Sequence, residues 1–360
     1  MMHYGSASAH ATDLTPGEIG TYFSRRLGRS VSVDKVAKTF PGVSRETLIV
    51  AARVDDQPEG FVLRLDQPWG SSVPSSLRQE YEIYRLLHGS KIPVAEALWY
   101  GEGDGFAGGR PHMVRRLVDG SSIIPLLTGA SADERLRREV SRQHVEMLAK
   151  LHRLDWSALG FGELLPGPAQ AADALAFEYR HWRDLWKTVR VEPFPVITEF
   201  LCWLGEQIPA DTPFVSLCKG NNGVGEEIFR DGRIVAMSDW ELASLGDGAL
   251  DLAFSQGTLR LDDYDDAVAH YESCVGARLS PERLAFATLL TRFKSMVCLN
   301  GFLLPPYLAG DDWRPTSPAY GYILVKLFER RLAGCIGKRL VDAVRAYDDR
   351  PSSSIMTLQS

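Results

Sequence analysis

The sequence has little of what marks membrane, nucleic-acid-binding or secreted proteins. No apolar run reaches the roughly 18 residues that a transmembrane helix needs. The formal net charge is −6, so the chain lacks the basic excess that sequence-independent nucleic-acid binding requires. Residues 1–12 contain no basic segment followed by an apolar run, so we expect a disordered tail there, and another at 351–360. These absences predict that neither a membrane nor a nucleic acid is a partner.

Cysteine is also scarce. The five cysteines are far apart and form no Cys-x-x-Cys pair, which argues against a zinc site or a disulfide framework. We therefore expect buried free thiols and a cytoplasmic protein. The P-loop pattern Gly-x4-Gly-Lys-Ser/Thr is absent, and the glycines of residues 220–225 have the wrong spacing for a dinucleotide fingerprint.

The pattern of residues 13–118 predicts a small α+β lobe. A helix begins at Thr15-Pro16-Gly17-Glu18, which combines a capping box with an early proline, and ends at Gly28. A second helix begins with another capping box at Ser76 and ends at Gly89. Strand-like runs surround this helix, at 47–53, 60–65, 97–100 and 112–118. This order of strands and helix favours an antiparallel sheet.

Residues 119–350 read as a larger and mainly helical lobe. A cap at Ser131 begins a long helix, and helical spacing returns at 172–189, 195–205 and from 262 onward, with a loop near 304–318. The dipeptide Asp231-Gly232 between two apolar runs predicts a hairpin of strands 227–229 and 233–237. His144 and His152 lie eight residues apart in the long helix, which favours core or hydrogen-bonded histidines over a metal pair.

Three features of the small lobe suggest phosphate binding when taken together. Gly42 and Ser44 stand just before a strand, where glycine lets a phosphate approach the backbone and a hydroxyl can contact it. Arg64 lies in the next strand, and Glu80 in the first turns of the following helix. Each has an ordinary alternative: a turn, an exposed cation, or an acid favoured by the helix dipole. Their order along the chain favours a nucleotide site, because kinase-like lobes pair a strand cation with a helix glutamate.

The segment 216–251 resembles the catalytic and metal-binding segment of aminoglycoside-phosphotransferase/choline-kinase-type enzymes. The runs Asp231-Gly232-Arg233 and Asp239-Trp240-Glu241 fix the register of this resemblance. In that register Lys219 stands at the family's histidine, Asn221 at its catalytic aspartate, Glu226 at its metal-binding asparagine and Asp239 at its metal-binding aspartate. Asp247 and Asp251 match a downstream pair that supports the loop.

The resemblance implies a bilobal protein-kinase-like fold of the α+β class, with a small antiparallel-sheet N-lobe and a larger, mainly helical C-lobe. It implies ATP or GTP in the cleft, the base lying against the backbone of Arg115–Val118, which includes Arg116 and Val118. Mg²⁺ would bind Glu226 and Asp239. The Gly-x-Ser-x-Glu-Thr loop and the strand arginine are most similar to the branch associated with acyl-CoA dehydrogenases.

The substitution at Asn221 leaves the activity open at the level of sequence. An amide cannot accept a proton as a carboxylate does, and general-base help is worth ~10²–10⁴-fold. Phosphoryl transfer depends mostly on positioning and charge neutralisation, so Asn221 still suits a phosphotransferase that acts on a small-molecule hydroxyl. The alternatives are a nucleotide- or metabolite-binding pseudokinase, or nucleotidyl transfer. Lys219 either neutralises phosphate charge or lies on the surface.

Overall fold

The computed structural model describes residues 14–39, 44–67, 73–121, 134–190, 193–222, 226–259, 263–298 and isolated positions between 326 and 337. Several expectations fall outside these residues: the two tails, Gly42, the cap at Ser131, and the loop at 304–318. The remaining expectations concern described residues and can be compared with the structure directly.

The first helix, α1 (Pro16–Leu27), begins and ends as its capping pattern predicts. Thr15 Oγ1 accepts the backbone N–H of Glu18 at 3.2 Å, and the Glu18 carboxylate accepts the backbone N–H of Thr15 at 2.8 Å. Gly28 ends the helix with φ of 65°, a conformation that glycine adopts without strain. The helix buries Ile19, Tyr22 and Phe23 against the adjoining sheet.

Five antiparallel strands form the N-lobe sheet in the order β1-β2-β3-β5-β4. They are β1 (Val31–Lys38), β2 (Glu46–Val54), β3 (Gln57–Leu65), β4 (Ala97–Gly101) and β5 (His112–Arg116). Helix α2 (Leu77–Leu87) packs on β4 and β5. Ser76 caps it by accepting the N–H of Gln79 at 3.1 Å. The sheet thus brings the end of β3 close to the first turn of α2.

Strand β1 was not predicted, and its chemistry explains why. It is an edge strand with no fully buried residue, so it needs no regular apolar alternation. Asp34 interrupts the run Val31–Val36, and the pairing with β2 shifts register between Val33 and Lys35. Pairing with β2, rather than burial, defines this strand.

The C-lobe is mainly helical, with two small strand pairs. Its helices are α3 (Glu134–His152), α4 (Phe161–Leu164), α5 (Ala174–Val189), α6 (Pro195–Gly205), α7 (Ala249–Leu259), α8 (Tyr264–Val275) and α9 (Pro281–Cys298). Strands β6 (Ser216–Cys218) and β9 (Ser244–Gly246) pair with each other, as do β7 (Glu227–Arg230) and β8 (Arg233–Met237). Asp231 and Gly232 form the predicted hairpin turn with φ of 53° and 74°.

One apolar cluster joins the lobes. It contains Leu77 and Tyr84 of α2, Leu148 and Leu151 of α3, and Trp240 from the segment after β8. A separate cluster lies between α1 and the sheet, and the largest fills the space among α5, α6, α7 and α9. Because the joining cluster fixes α2 against the Trp240 segment, the polar residues on either side of Trp240 face the end of β3.

The cysteines are less buried than expected. Among the described residues, Cys202, Cys218, Cys274 and Cys298 are free thiols, but Cys202 and Cys274 are exposed. Both lie on outward faces of amphipathic helices, where spacing alone did not separate a small apolar side chain from a core residue. Within the described part of the chain, no helix combines the length and apolar character needed to cross a membrane.

Candidate functional site

Arg64 lies where the end of β3, α2 and the segment after β8 meet, and this region is called the cleft below. It is the next-to-last residue of β3, and its Nη1 donates to Glu80 Oε1 of α2 at 2.7 Å. Its Nη2 donates to Asp239 Oδ1 at 3.1 Å and to Glu241 Oε2 at 2.7 Å. Burial disfavours the charged form, but Glu80, Asp239 and Glu241 together raise the pKa of Arg64 well above its usual value. The three sequence candidates Arg64, Glu80 and Asp239 therefore lie in one contact network.

A second arginine, Arg45, joins the same network. It lies between Ser44 and β2, and its side chain is fully buried. Its Nη1 donates to Glu80 at 3.2 Å and to Glu241 at 3.0 Å, while its Nε donates to Asp66 at 2.8 Å. Because both arginines contact the same two glutamates, these residues form one network rather than a set of separate salt bridges.

Asp239 has an unusual backbone. Its φ is 63°, in the left-handed region that costs a non-glycine residue about 1–3 kcal/mol. Its N–H donates to the hydroxyl of Tyr84 on α2 at 3.2 Å. Burial raises the pKa of Asp239, but the positive charges of Arg64 and Lys219 outweigh burial and lower it. The strained backbone thus presents an ionised carboxylate to the cleft.

Asn221 and Glu226 both contact Asp239. Asn221 Nδ2 donates to Asp239 Oδ2 at 2.6 Å. The carboxyl group of Glu226 lies beside that of Asp239, so two carboxyls share one small volume. Burial and the negative charge of Asp239 raise the pKa of Glu226 to about 8. The structure therefore brings together the residues predicted as base-position amide and metal ligands.

Glu241 connects the nucleotide-loop candidate to the metal-site candidate. Ser44 Oγ donates to Glu241 Oε2 at 2.7 Å, across 197 positions of sequence. The hydroxyl of Ser75 donates to the backbone oxygen of Glu241. Burial, followed by the negative charge of Asp239, raises the pKa of Glu241 to about 7. In the sequence Glu241 only helped to fix the register of the family resemblance. Its contacts in the structure give it a place in the site.

Asp251 of α7 holds the loop that carries Lys219 and Asn221. It accepts the backbone N–H of Lys219 at 2.6 Å and that of Gly220 at 2.8 Å. It also hydrogen-bonds with His152 Nε2 at 3.0 Å. Gly220 has φ of 79°, and a Cβ there would lie 1.9 Å from the carbonyl oxygen of Leu242. Only glycine fits this close approach, which fixes where Asn221 points.

Lys219 is buried, so the alternative that it lies on the surface is wrong. Its ammonium group donates to the backbone oxygen of Asn221. Its positive charge acts to lower the pKa of both nearby carboxyls, Asp239 and Glu226. For Glu226 this effect is smaller than the opposing effects of burial and of Asp239. Lys219 therefore supplies positive charge from inside the loop.

The neighbouring carboxylates Glu227 and Asp247 face away from the cleft. Glu227 is the first residue of β7, directly after Glu226, and its side chain pairs with His144 of α3 on the side opposite to Glu226. Asp247 accepts a bidentate pair from Arg283 at 2.8 and 3.0 Å. Of the two downstream aspartates, Asp251 contacts the loop directly, whereas Asp247 joins α9 to the start of α7.

His144, Glu227 and Ser255 have the connectivity of a hydrolytic triad without its accessibility. His144 Nδ1 meets the Glu227 carboxylate, and Nε2 lies 2.7 Å from Ser255 Oγ. All three are buried, and Ser255 Oγ donates to the backbone oxygen of Asp251 at 2.9 Å. A hydroxyl that is buried and already donating its proton cannot attack a substrate, so this group supports the fold, as predicted for His144.

The segment between the lobes contains the remaining candidates. The side chain of Arg116 pairs with Glu59 and Glu96, and its backbone N–H donates to Glu96 O at 2.9 Å. The N–H of Leu117 donates to Gly60 O at 2.9 Å, and Val118 packs beside the cluster that joins the lobes. Because the side chain of Arg116 pairs with two glutamates, only the backbone groups of Arg116 and Val118 remain as candidates for contact with the base of a nucleotide.

Three contact residues escaped the sequence reasoning: Arg45, Glu241 and Tyr84. Arg45 and Glu241 are 196 positions apart, and no spacing rule connects residues at that distance. Tyr84 had the pattern of an ordinary core residue on α2. The one available signal was for Glu241, a second carboxylate two positions after Asp239 in the run that fixes the register.

The chain resembles known proteins over most of its length. Residues 50–282 match the family model APH, described as the phosphotransferase enzyme family. The chain is 25% identical over 309 residues to acyl-CoA dehydrogenase family member 11 of Gallus gallus. That match covers 78% of this chain and 38% of the relative, so the chain spans well under half of that protein.

Solved structures share the architecture at low identity. A Ralstonia eutropha JMP134 protein, named as a candidate aminoglycoside phosphotransferase, has a TM-score of 0.66 and 18% identity, covering 88% of this chain and 96% of that one. A ternary complex of aminoglycoside phosphotransferase APH(4)-Ia with ADP and hygromycin B has a TM-score of 0.55 and 17% identity, covering 87% and 98%. At these identities the likeness shows the fold, and the predicted protein-kinase-like fold is confirmed. Because the family model spans well over half of the sequence, the chain belongs to the APH phosphotransferase enzyme family.

Proposed function

We propose that the protein transfers a phosphoryl group from ATP, or GTP, to a hydroxyl of a small molecule. The observation that carries this proposal is the contact of buried Arg64 with Glu80 on one side and Asp239 on the other. A strand cation held by a helix glutamate next to a carboxylate is the arrangement with which kinase-like lobes bind nucleotide phosphates and metal. Family membership supports the same reaction class.

The charges in the cleft fit a divalent cation. Among the described residues, five carboxyl groups meet three cations in the network, so the network carries −2 with all groups ionised; they are Asp66, Glu80, Glu226, Asp239 and Glu241 against Arg45, Arg64 and Lys219. Burial, followed by the negative charge of Asp239, raises the pKa values of Glu226 and Glu241, and a bound cation would offset that negative charge. Glu226 and Asp239 offer hard oxygen donors, which Mg²⁺ prefers. Bound there, Mg²⁺ would neutralise charge on the phosphates.

Residues of the N-lobe would hold the nucleotide. Arg64 would contact the phosphates from β3, and the segment Gly42–Thr47 would cover them. The backbone of Arg115–Val118 is the proposed place for the base. Arg116 and Leu117 already donate their N–H groups to Glu96 and Gly60, and among the described residues no backbone partner is found for the N–H of Val118. That group is therefore suited to donate to a purine ring nitrogen.

Asn221 would orient the acceptor hydroxyl without taking its proton. Its carboxamide can accept a hydrogen bond from the hydroxyl while its Nδ2 stays on Asp239. Lys219 would steady the loop through the Asn221 carbonyl and add positive charge beneath it. Because phosphoryl transfer has a loose transition state, positioning of this kind supports catalysis, though at a lower rate than with a carboxylate base.

The acceptor class is narrowed by the names of similar proteins. One relative is named an acyl-CoA dehydrogenase family member, and one structural neighbour is complexed with hygromycin B. We propose a hydroxylated metabolite as acceptor, and hydroxyacyl-CoA thioesters belong first in a test panel with aminoglycosides as comparison. We also propose a cytoplasmic location, where a nucleotide and hydroxylated metabolites would be available to the protein.

The direct test is Mg²⁺-dependent ATP or GTP consumption against this panel. We expect slow turnover that an acceptor stimulates and that Asp239→Ala abolishes, since the variant loses a metal carboxylate and the partner of Arg64. Asp184→Asn, on an exposed salt bridge of α5, serves as the control and retains activity. Nucleotide binding without turnover across the whole panel would contradict the proposal.

The second candidate is a pseudokinase that binds nucleotide without transfer. It is favoured by Asn221 at the base position and by its 2.6 Å hydrogen bond to Asp239. The discriminating variant is Asn221→Asp. If phosphoryl transfer arises only in this variant, the native protein is a binding protein; if the native chain already turns over and the variant is faster, the enzyme proposal holds.

A further inference from the structure

Arg45 has no role in the proposed reaction as described so far, yet it is among the most firmly held side chains of the cleft. Its guanidinium contacts three carboxylates, those of Asp66, Glu80 and Glu241. Its Nη2 also donates to the backbone oxygen of Ser75 at 2.6 Å. The side chain is inaccessible, with a relative exposure of 0%. A group so enclosed cannot itself reach a nucleotide in the cleft.

Arg64 shares two of these partners. Both arginines contact Glu80 and Glu241, but the two bonds of Arg45 come from one nitrogen, Nη1. Arg64 uses Nη1 for Glu80 and Nη2 for Glu241, and the latter nitrogen also contacts Asp239. Arg64 is therefore the only one of the two that bridges the glutamates to the metal-site candidate Asp239.

Nucleotide binding would change what Arg64 contacts. Its Nη1 would keep Glu80, because kinase-like lobes hold nucleotide phosphates with the strand cation and the helix glutamate still paired. Its Nη2 would turn toward phosphate, and Asp239 would turn toward a metal ion. Glu241 is almost inaccessible and would then lose its contact with Arg64. A buried carboxylate left without a counter-ion is strongly unfavourable. The exchange is feasible only if another cation stays with Glu241.

We infer that Arg45 is the standing counter-ion of Glu241, which lets Arg64 Nη2 leave that carboxylate for the nucleotide phosphates. Arg45 is a positioning residue, since it acts on the nucleotide through Glu241 and Arg64. Its bonds to Asp66 and to Ser75 O hold it in place independently of the glutamates. This role presupposes that the cleft binds nucleotide as proposed above.

The role differs from simple structural support in what its loss affects. Without Arg45, buried Glu241 would depend on Arg64 alone for a counter-ion, so Arg64 Nη2 would be held back from phosphate. Removal of Arg45 therefore weakens nucleotide binding specifically. A purely structural ion pair would lower the melting temperature equally with and without nucleotide.

The test is calorimetric titration of Mg²⁺–ATP and Mg²⁺–GTP into the wild type, Arg45→Met, Arg45→Lys, Glu241→Gln and Arg45→Met/Glu241→Gln. We expect at least ~10-fold weaker binding in Arg45→Met, less loss in Arg45→Lys, and recovery in the double variant, which no longer has the Glu241 charge to neutralise. Arg110→Met is the matched control, because Arg110 pairs with Glu46 in the same lobe. It should keep the wild-type nucleotide affinity and the nucleotide-induced rise in melting temperature.

Each outcome decides the matter. Wild-type affinity in Arg45→Met, or a double variant as weak as Arg45→Met, overturns the role of Arg45 and leaves the proposed function standing. A wild type that binds neither nucleotide overturns the proposed function and this role together. If Arg45→Met does not fold, Arg45→Lys and Arg45→Lys/Glu241→Gln provide the same comparison, with the same pattern expected.

Discussion

At the scale of single residues, the site depends on carboxylates whose environments differ sharply. Asp251 and Glu226 are both acidic and both close to the loop at Lys219–Asn221. Burial acts to raise the pKa of both carboxyls. For Asp251 three accepted hydrogen bonds outweigh burial and lower the pKa, whereas for Glu226 the negative charge of Asp239 adds to burial and the pKa is raised. The first residue fixes the loop by being ionised, and the second becomes a better oxygen donor once a cation neutralises its neighbour.

The stability contributed by Asp251 should depend on pH. Burial raises its pKa, but hydrogen bonds from His152 and the loop lower it to about 2, from an ordinary value of 3.8. Because the folded pKa is the lower one, this contribution is complete above pH ~4 and is lost as the pH falls toward ~2. Urea unfolding should show Asp251→Asn destabilised by ~3 kcal/mol at pH 7. The difference from wild type should shrink below pH ~4.

The destabilisation expected for Asp251→Asn has a geometric reason. The amide of asparagine offers only one acceptor oxygen, whereas Asp251 accepts backbone N–H groups with both of its oxygens. Asp211→Asn, at an exposed position, is the control and should show no such pH-dependent difference. An Asp251→Asn variant as stable as wild type at pH 7 would mean that the loop is held by something else.

A second prediction at this scale concerns Gly220. Gly220→Ala places a Cβ against the Leu242 carbonyl oxygen in a left-handed conformation, and should destabilise the protein by at least ~2 kcal/mol. Gly162→Ala is the control, since its added Cβ meets only Trp156 at 3.6 Å. Melting temperatures of the two variants provide the measurement, and equal values would contradict the proposed fit of the loop.

At the scale of elements, β7 separates support from chemistry by simple alternation. Glu226 immediately precedes the strand and faces Asp239, while Glu227 faces His144 of α3. Adjacent residues of extended backbone point to opposite sides, which accounts for this opposition. Sequence reasoning predicted the caps of α1 and the Asp231-Gly232 turn, because these features depend only on neighbouring residues.

The alternation on β7 yields a paired prediction. Glu226→Gln should raise the Mg²⁺ concentration that is needed for ATP to stabilise the protein by at least ~10-fold, with little change in the free energy of unfolding. Glu227→Gln should lower the unfolding free energy by ~1–3 kcal/mol and leave the Mg²⁺ requirement unchanged. Thermal melts over a Mg²⁺ series with ATP measure both effects, and an interchange of the two phenotypes would refute the assignment of faces.

At the scale of the whole molecule, sequence reasoning selected residues of the candidate site where they occupy a place in an ordered motif, and missed those that only packing brings there. Arg64, Glu80 and Asp239 were predicted because each occupies a recognisable place in an ordered motif. Arg45 and Glu241 were not, because their contacts exist only once the N-lobe and the Trp240 segment are packed together. The edge strand β1 was missed for the related reason that pairing, not an apolar pattern, defines it.

The central claim is that the cleft around Arg64 is a nucleotide and metal site. Calorimetric titration of ATP and GTP into wild type and Arg64→Met, with Mg²⁺ and with EDTA, tests it most directly. The account predicts Mg²⁺-dependent binding in the wild type and at least ~10-fold weaker binding in Arg64→Met. A folded wild-type protein that binds neither nucleotide in the presence of Mg²⁺, or an Arg64→Met variant with undiminished affinity, would contradict it.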